Sequence, residues 1–142
     1  MAIWQVSFNA IDKDKKNNDE DIFYWNKEPI NVYDITFLKK CDSWTNDIKQ
    51  YGDLQETCIE LLEENGRIVE VSVRLDLRTQ TRDLLIHILD YINRLDANIY
   101  YQKEILIPSM DNIKKIIMAS DAYKYCHNPL NYFDVRNIEG NN

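Results

Sequence analysis

Residues 57–78, TCIELLEENGRIVEVSVRLDLR, decide the fold. Val69, Val71, Val73, Leu75 and Leu77 alternate with Glu70, Ser72, Arg74 and Asp76. A period of two over that length gives a strand with one buried face and one wet face. Asn65-Gly66 supplies the two positive φ angles of a type I′ turn. Ile59 and Leu61 lead into that turn on the preceding strand. The stretch therefore specifies a β-hairpin and a sheet face, and by itself no chemistry.

On the N-terminal side, Trp4, Val6, Phe8 and Ala10 alternate with Gln5, Ser7 and Asn9, which reads as another strand over 2–11. Residues 12–21, DKDKKNNDED, are polar throughout and form an exposed loop. DIFYWNKEPINVY follows, aromatic-rich and irregular, and Asp34 is placed to cap a short helix over ITFLKK. A strand at 47–51 ends at the turn Gly52-Asp53.

On the C-terminal side, Leu84, Leu85, Ile88, Leu89, Ile92 and Leu95 recur at intervals of three and four. That spacing makes a helix capped by Thr79 or Thr81, with one apolar stripe. Ile99–Ile107 reads as a single strand, stopped by Pro108. Ser109 caps a further helix that turns Ile113, Ile116, Ile117 and Tyr123 inward and is broken at His127-Asn128-Pro129. LNYF reads as a short turn and NIEGNN as a frayed tail. Strands precede the main helices, so the fold class is α+β: an antiparallel-dominated sheet of about five strands, two main helices and one short helix. The length, 142 residues, suits a single domain over 1–142.

The charge is unevenly spread. Of a net −7, residues 42–90 carry −6, with eleven acids against five bases. That segment repels nucleic-acid phosphates and anionic headgroups, and it draws basic partners into faster encounter. No membrane span is expected, because no apolar run reaches 18 residues. Cys41, Cys58 and Cys126 make no CxxC pair, and the N-terminus lacks the basic and apolar regions of a signal peptide. A cytoplasmic location with reduced thiols is the expectation.

SWTNDIKQYGD followed by CIELLEENGRIVEVSVRLDLR resembles a family of small uncharacterised bacterial proteins. Trp44, Asp47, Ile48, Gly52, Asp53, Gly66, Arg67, Ser72, Val73, Arg74, Asp76, Leu77 and Arg78 carry the resemblance, and Trp4-Gln5-Val6 fits it. It covers about half the chain and is specific over 65–78. At the turn, Asn65 stands where the family has an acidic residue. The resemblance implies no activity. In size, acidity and solubility the chain is also similar, by analogy, to immunity proteins of bacterial toxin systems.

No catalytic, cofactor-binding or metal-ligating set emerges. His87 stands alone, Cys126-His127 is adjacent rather than spaced for ligation, and no glycine-rich phosphate loop occurs. Two groupings remain. Glu70, Ser72, Arg74, Asp76 and Arg78 fall in one line on the wet face of a strand. Trp44, Asp47 and Asp53 surround a turn, where a tryptophan can anchor an interface or close a core. The partner-binding candidates are therefore Trp44, Asp47, Asp53, Glu70, Arg74, Asp76 and Arg78. The expected function is a non-catalytic protein–protein interaction module, in its sharpest form an immunity- or antitoxin-like inhibitor of a basic toxin domain. The alternative is a small-molecule-binding or enzymatic domain that uses the Arg74/Asp76/Arg78 face with Trp44 or Trp25 as a platform. A homo-oligomer joined through a sheet edge is a third arrangement the sequence allows.

Overall fold

The computed structural model describes residues 1–126. It is α+β, with one sheet of seven strands and three helices. The strands are β1 (Gln5–Asp12), β2 (Lys40–Cys41), β3 (Ile48–Tyr51), β4 (Cys58–Glu64), β5 (Arg67–Asp76), β6 (Ala97–Tyr101) and β7 (Glu104–Leu106). The helices are α1 (Arg82–Arg94), α2 (Met110–Ala119) and α3 (Asp121–Tyr125). The sheet order is β2-β3-β4-β5-β1-β6-β7, and every neighbouring pair is antiparallel. Both edge strands are two or three residues long, which leaves little edge for another chain to extend.

The β4–β5 hairpin forms as its turn residues dictate, with Asn65 at φ 52° and Gly66 at φ 80°. Val71, Val73, Leu75 and Leu77 lie in one hydrophobic cluster with Leu85, Ile88, Leu89 and Ile92 of α1 and Ile113, Ile116 and Ile117 of α2. Val69 departs from the simple alternation. Leu62 pairs with Glu70 and Glu63 with Ile68, so a bulge skips Val69. Ile68 joins the cluster in its place, while Val69 is buried outside it. The bulged backbone is satisfied by the segment that crosses it: the Trp25 N–H donates to the Val69 carbonyl at 2.7 Å, and the Ile68 N–H donates to the Glu28 carboxylate at 2.8 Å.

Three sequence expectations need correction. Residues 34–39 form no helix. Asp34 pairs with Arg94 instead of capping, and Phe37 stacks on His87 with ring centroids 5.5 Å apart. The segment is held by α1, and β-branched Ile35 and Thr36 add little helical preference of their own. The stretch 99–107 is not one strand but the hairpin β6–β7, turned at Gln102 (φ 45°) and Lys103 (φ 68°). The helix expected after Ser109 ends at Ala119 as α2, because Ser120 leaves helical geometry and its hydroxyl caps α3. With the split of 99–107 and the added edge strand β2, the sheet has seven strands among the described residues rather than about five, and the short helix is α3. The expected turn at LNYF and the tail NIEGNN lie outside the described residues.

The loop expected at 12–21 is largely exposed and built from turns, with Lys13 paired to Asp96 at 2.7 Å and Lys15 to Asp21 at 3.1 Å. The chain then passes the 67–69 end of the sheet to the helix side, where Tyr91 Oη donates to the Val32 carbonyl at 2.6 Å. One face of the sheet is thereby covered by helices and by residues 32–37. The other face is only partly covered, chiefly where Phe23 meets Tyr100 edge-on at 5.4 Å.

Candidate functional site

Strand register sets the geometry of the open face. Ile48, Leu62 and Glu70 form one cross-strand row, and Gln50, Glu60, Ser72 and Asn9 form the next. Cys58, Arg74 and Ser7 form a third, closed at the end by Asp76 opposite Gln5. Side chains in successive rows stand close enough to interact. Above the first two rows hangs the loop between β2 and β3. Short turns shape it: the Thr45 N–H lies near Ser43 Oγ, the Asp47 N–H near Thr45 Oγ1, and the Glu63 N–H donates to the Asp47 carbonyl at 2.6 Å. At its tip Trp44 is 77% exposed.

Trp44, Ile48, Glu60, Leu62, Glu70, Ser72 and Arg74 together line a cavity of about 250 Å³. Arg74 Nη2 reaches Glu60 Oε1 at 3.1 Å, and both side chains are mostly buried. Glu70 is half-buried on the neighbouring row. Burial, with the charge of Glu64, holds its carboxyl above the usual carboxylate range against a hydrogen bond from Asn9. A larger cavity, about 650 Å³, lies where the first half of β1 has no β6 neighbour. It has the greater volume, and Phe23, Tyr100, Tyr101, Lys103 and Asp121 are among its walls, but none of the sequence candidates lines it.

The sequence candidates divide. Trp44, Glu70 and Arg74 meet around one cavity. Asp47 lies in the same loop and contributes its carbonyl to hold the loop on β4. Asp53 serves its own turn, accepting from the Gln55 N–H at 2.8 Å. Asp76 and Arg78 do not continue the open line. Asp76 is fully buried, and its carboxylate accepts from the Arg78 backbone N–H at 2.9 Å and from the Arg78 guanidinium at 3.0 and 2.9 Å. The Arg78 guanidinium also lies 3.9 Å over the Trp4 ring, and Trp4 and Arg78 both donate to the Gln55 carbonyl. Thr57 Oγ1 completes the corner, accepting from the Asp76 N–H and from Gln80. This is a clamp on residues 54–57, with Asp76 buried beneath and Arg78 at the surface, formed because β5 ends there and the chain turns back toward α1.

The platform expected of Trp25 is absent too. Trp25 is buried in the core and its indole N–H donates to the Ala10 carbonyl at 3.1 Å. An open Arg74/Asp76/Arg78 face is therefore not assembled.

Ile48, Glu60 and Leu62 join the cavity although none was among the partner-binding candidates. Only the register of β3 on β4 and β4 on β5 puts them beside Trp44. The signal available was the alternation of Glu60 and Leu62 with Ile59 and Leu61. Among the described residues no group of three or more His, Cys, Asp or Glu side chains is placed to hold a metal ion. Burial pushes the Cys58 thiol up to about 12, so it stays protonated on the sheet.

Fold and site together define an α+β protein with one helix-covered sheet face and one partly open face bearing an exposed tryptophan. No protein-family model, no curated protein and no solved structure matches the chain. Among the described residues no helix is long and apolar enough to cross a membrane.

Proposed function

We propose that this chain is a non-catalytic protein-binding module, most sharply an immunity- or antitoxin-like inhibitor of a basic toxin domain, which engages its partner through the open sheet face around Trp44. The observation that carries this reading is the 77% exposure of Trp44 at a cavity walled by Glu60, Glu70 and Arg74. An exposed indole gains little in water, whereas a tryptophan brought into a desolvated interface centre is among the strongest contributors to binding. Trp44 belongs to the acidic segment 42–90, whose charge favours fast encounter with a basic surface. The cytoplasm is the compartment this reading implies.

The test is parallel affinity capture from the native host with the wild-type chain and Trp44→Ala. A polypeptide retained by the wild type, lost with the variant, and binding again once purified supports the reading. Growth protection against that polypeptide by co-expression supports the inhibitor form. Identical retention by both chains overturns the assignment of the binding face.

A further inference from the structure

The cavity beside Trp44 holds more information than its exposure. Its charged walls are Glu60, Glu70 and Arg74, so it carries one excess negative charge. Arg74 is already engaged by Glu60 at 3.1 Å. Glu70 has no basic group within ion-pair distance among the described residues. On the adjoining row Gln50 is buried, and its amide oxygen accepts no hydrogen bond among the described residues. What this part of the face leaves unmatched is therefore the charge of Glu70 and the amide oxygen of Gln50, both on the acceptor side. An anion would have to separate Arg74 from Glu60, whereas a cation finds Glu70 with the Asn9 amide as a neutral partner and no opposing charge.

The remaining walls narrow the cation. Ile48 and Leu62 give an apolar side on which an aliphatic stem can lie while its charged head stays polar. Trp44 gives an indole against which a planar cation can stack. At about 250 Å³ the space lies below the range of roughly 300–1,000 Å³ typical of small-molecule pockets, and it suits a single side chain. A guanidinium fits these walls better than an ammonium, because it stacks on an aromatic ring and pairs edge-on with a carboxylate at the same time.

We propose that this cavity receives the guanidinium head of one arginine presented by the partner, stacked on Trp44 and paired with Glu70. The proposal rests on the protein-binding reading above and names the chemistry of its central contact. The half-buried state of Glu70 strengthens the pairing, since a cation brought to it meets a carboxylate already partly stripped of water.

The test uses the full chain and three capped amino acids: the acetyl amides of arginine, lysine and citrulline. The readout is the Trp44 indole N–H resonance, assigned by its loss in Trp44→Phe. Arginine should shift that resonance saturably in the millimolar range. Lysine should bind several-fold more weakly, and neutral citrulline should leave the signal in place. Glu70→Gln, isosteric and on a half-exposed position, should weaken arginine binding about tenfold while the melting temperature holds. Equal shifts from citrulline and arginine, or arginine binding unchanged in Glu70→Gln, would overturn the proposal. If the arginine titration fails while partner capture still depends on Trp44, the binding face stands and the arginine assignment falls. If arginine binds but capture ignores Trp44, the cavity is a guanidinium site and the protein-binding reading falls.

Discussion

Asp76 and Arg74 point to the same side of β5, two residues apart, yet one is enclosed and the other borders a cavity. Asp76 accepts from a backbone N–H, from a guanidinium and from Thr79 Oγ1. Asp76→Ala strips those bonds and should cost on the order of 3 kcal/mol. Arg74→Ala leaves the mostly buried Glu60 without its ion-pair partner and should cost less, about 1–2 kcal/mol. Urea denaturation of the two variants separates them, and equal losses would place Asp76 outside the clamp. Cys58 gives a second contrast. Its thiol ionises at 9.0 by ordinary chemistry but only at about 12 in the folded chain. The folded state then holds a proton that the unfolded state has lost, so stability falls as pH rises through that window. Cys58→Ala should flatten the fall between pH 9.0 and about 12, read as a smaller drop in the urea midpoint.

Two glycines with similar backbone angles set a test at the level of elements. Gly66 lies at φ 80° in the β4–β5 turn, and a Cβ there meets nothing within 4 Å. Gly66→Ala should cost only the left-handed conformation, about 1–2 kcal/mol. Gly52 lies at φ 90° after β3, and its Cβ would come 2.3 Å from the Thr57 carbonyl oxygen. Gly52→Ala must also move backbone on two strands, so its melting temperature should drop well below that of Gly66→Ala. The β6–β7 turn is the reverse case. Gln102 and Lys103 hold positive φ angles without the residues that favour them. Lys103→Gly should gain about 0.5–1 kcal/mol, measured as a raised urea midpoint. That missing turn signal is why 99–107 read as one strand. The neighbouring hairpin was legible because Asn65-Gly66 announces it. The helix expected over ITFLKK failed for a related reason: its cap, Asp34, found a stronger partner in Arg94 from a distant element.

Over the whole molecule, the sheet separates two environments that a paired substitution can distinguish. Leu75 is fully buried in the cluster beneath α1 and α2, and Leu75→Ala should cost about 2–5 kcal/mol. Leu62 lies half-exposed at the cavity, and Leu62→Ala should cost about 1 kcal/mol. Similar losses at both positions would mean that the open face is covered. The sequence by itself determined the α+β class, the central hairpin, the register that buries Val71, Val73 and Leu75, and the inward stripe of α1. Those follow from local periodicity and turn chemistry, which act within a few residues. It also marked Trp44, Glu70 and Arg74 as candidates, because residue type and alternation place them on a wet surface. Only the tertiary structure decided that Asp76 is buried and tied to Arg78 at a corner with Trp4, Gln55 and Thr57, and that Trp25 belongs to the core. The bulge at Val69, held by Trp25 from another segment, and the meeting of Ile48, Glu60 and Leu62 with Trp44 were likewise tertiary outcomes. Each depends on pairings between residues distant in the chain, and burial and partner choice are properties of that assembly.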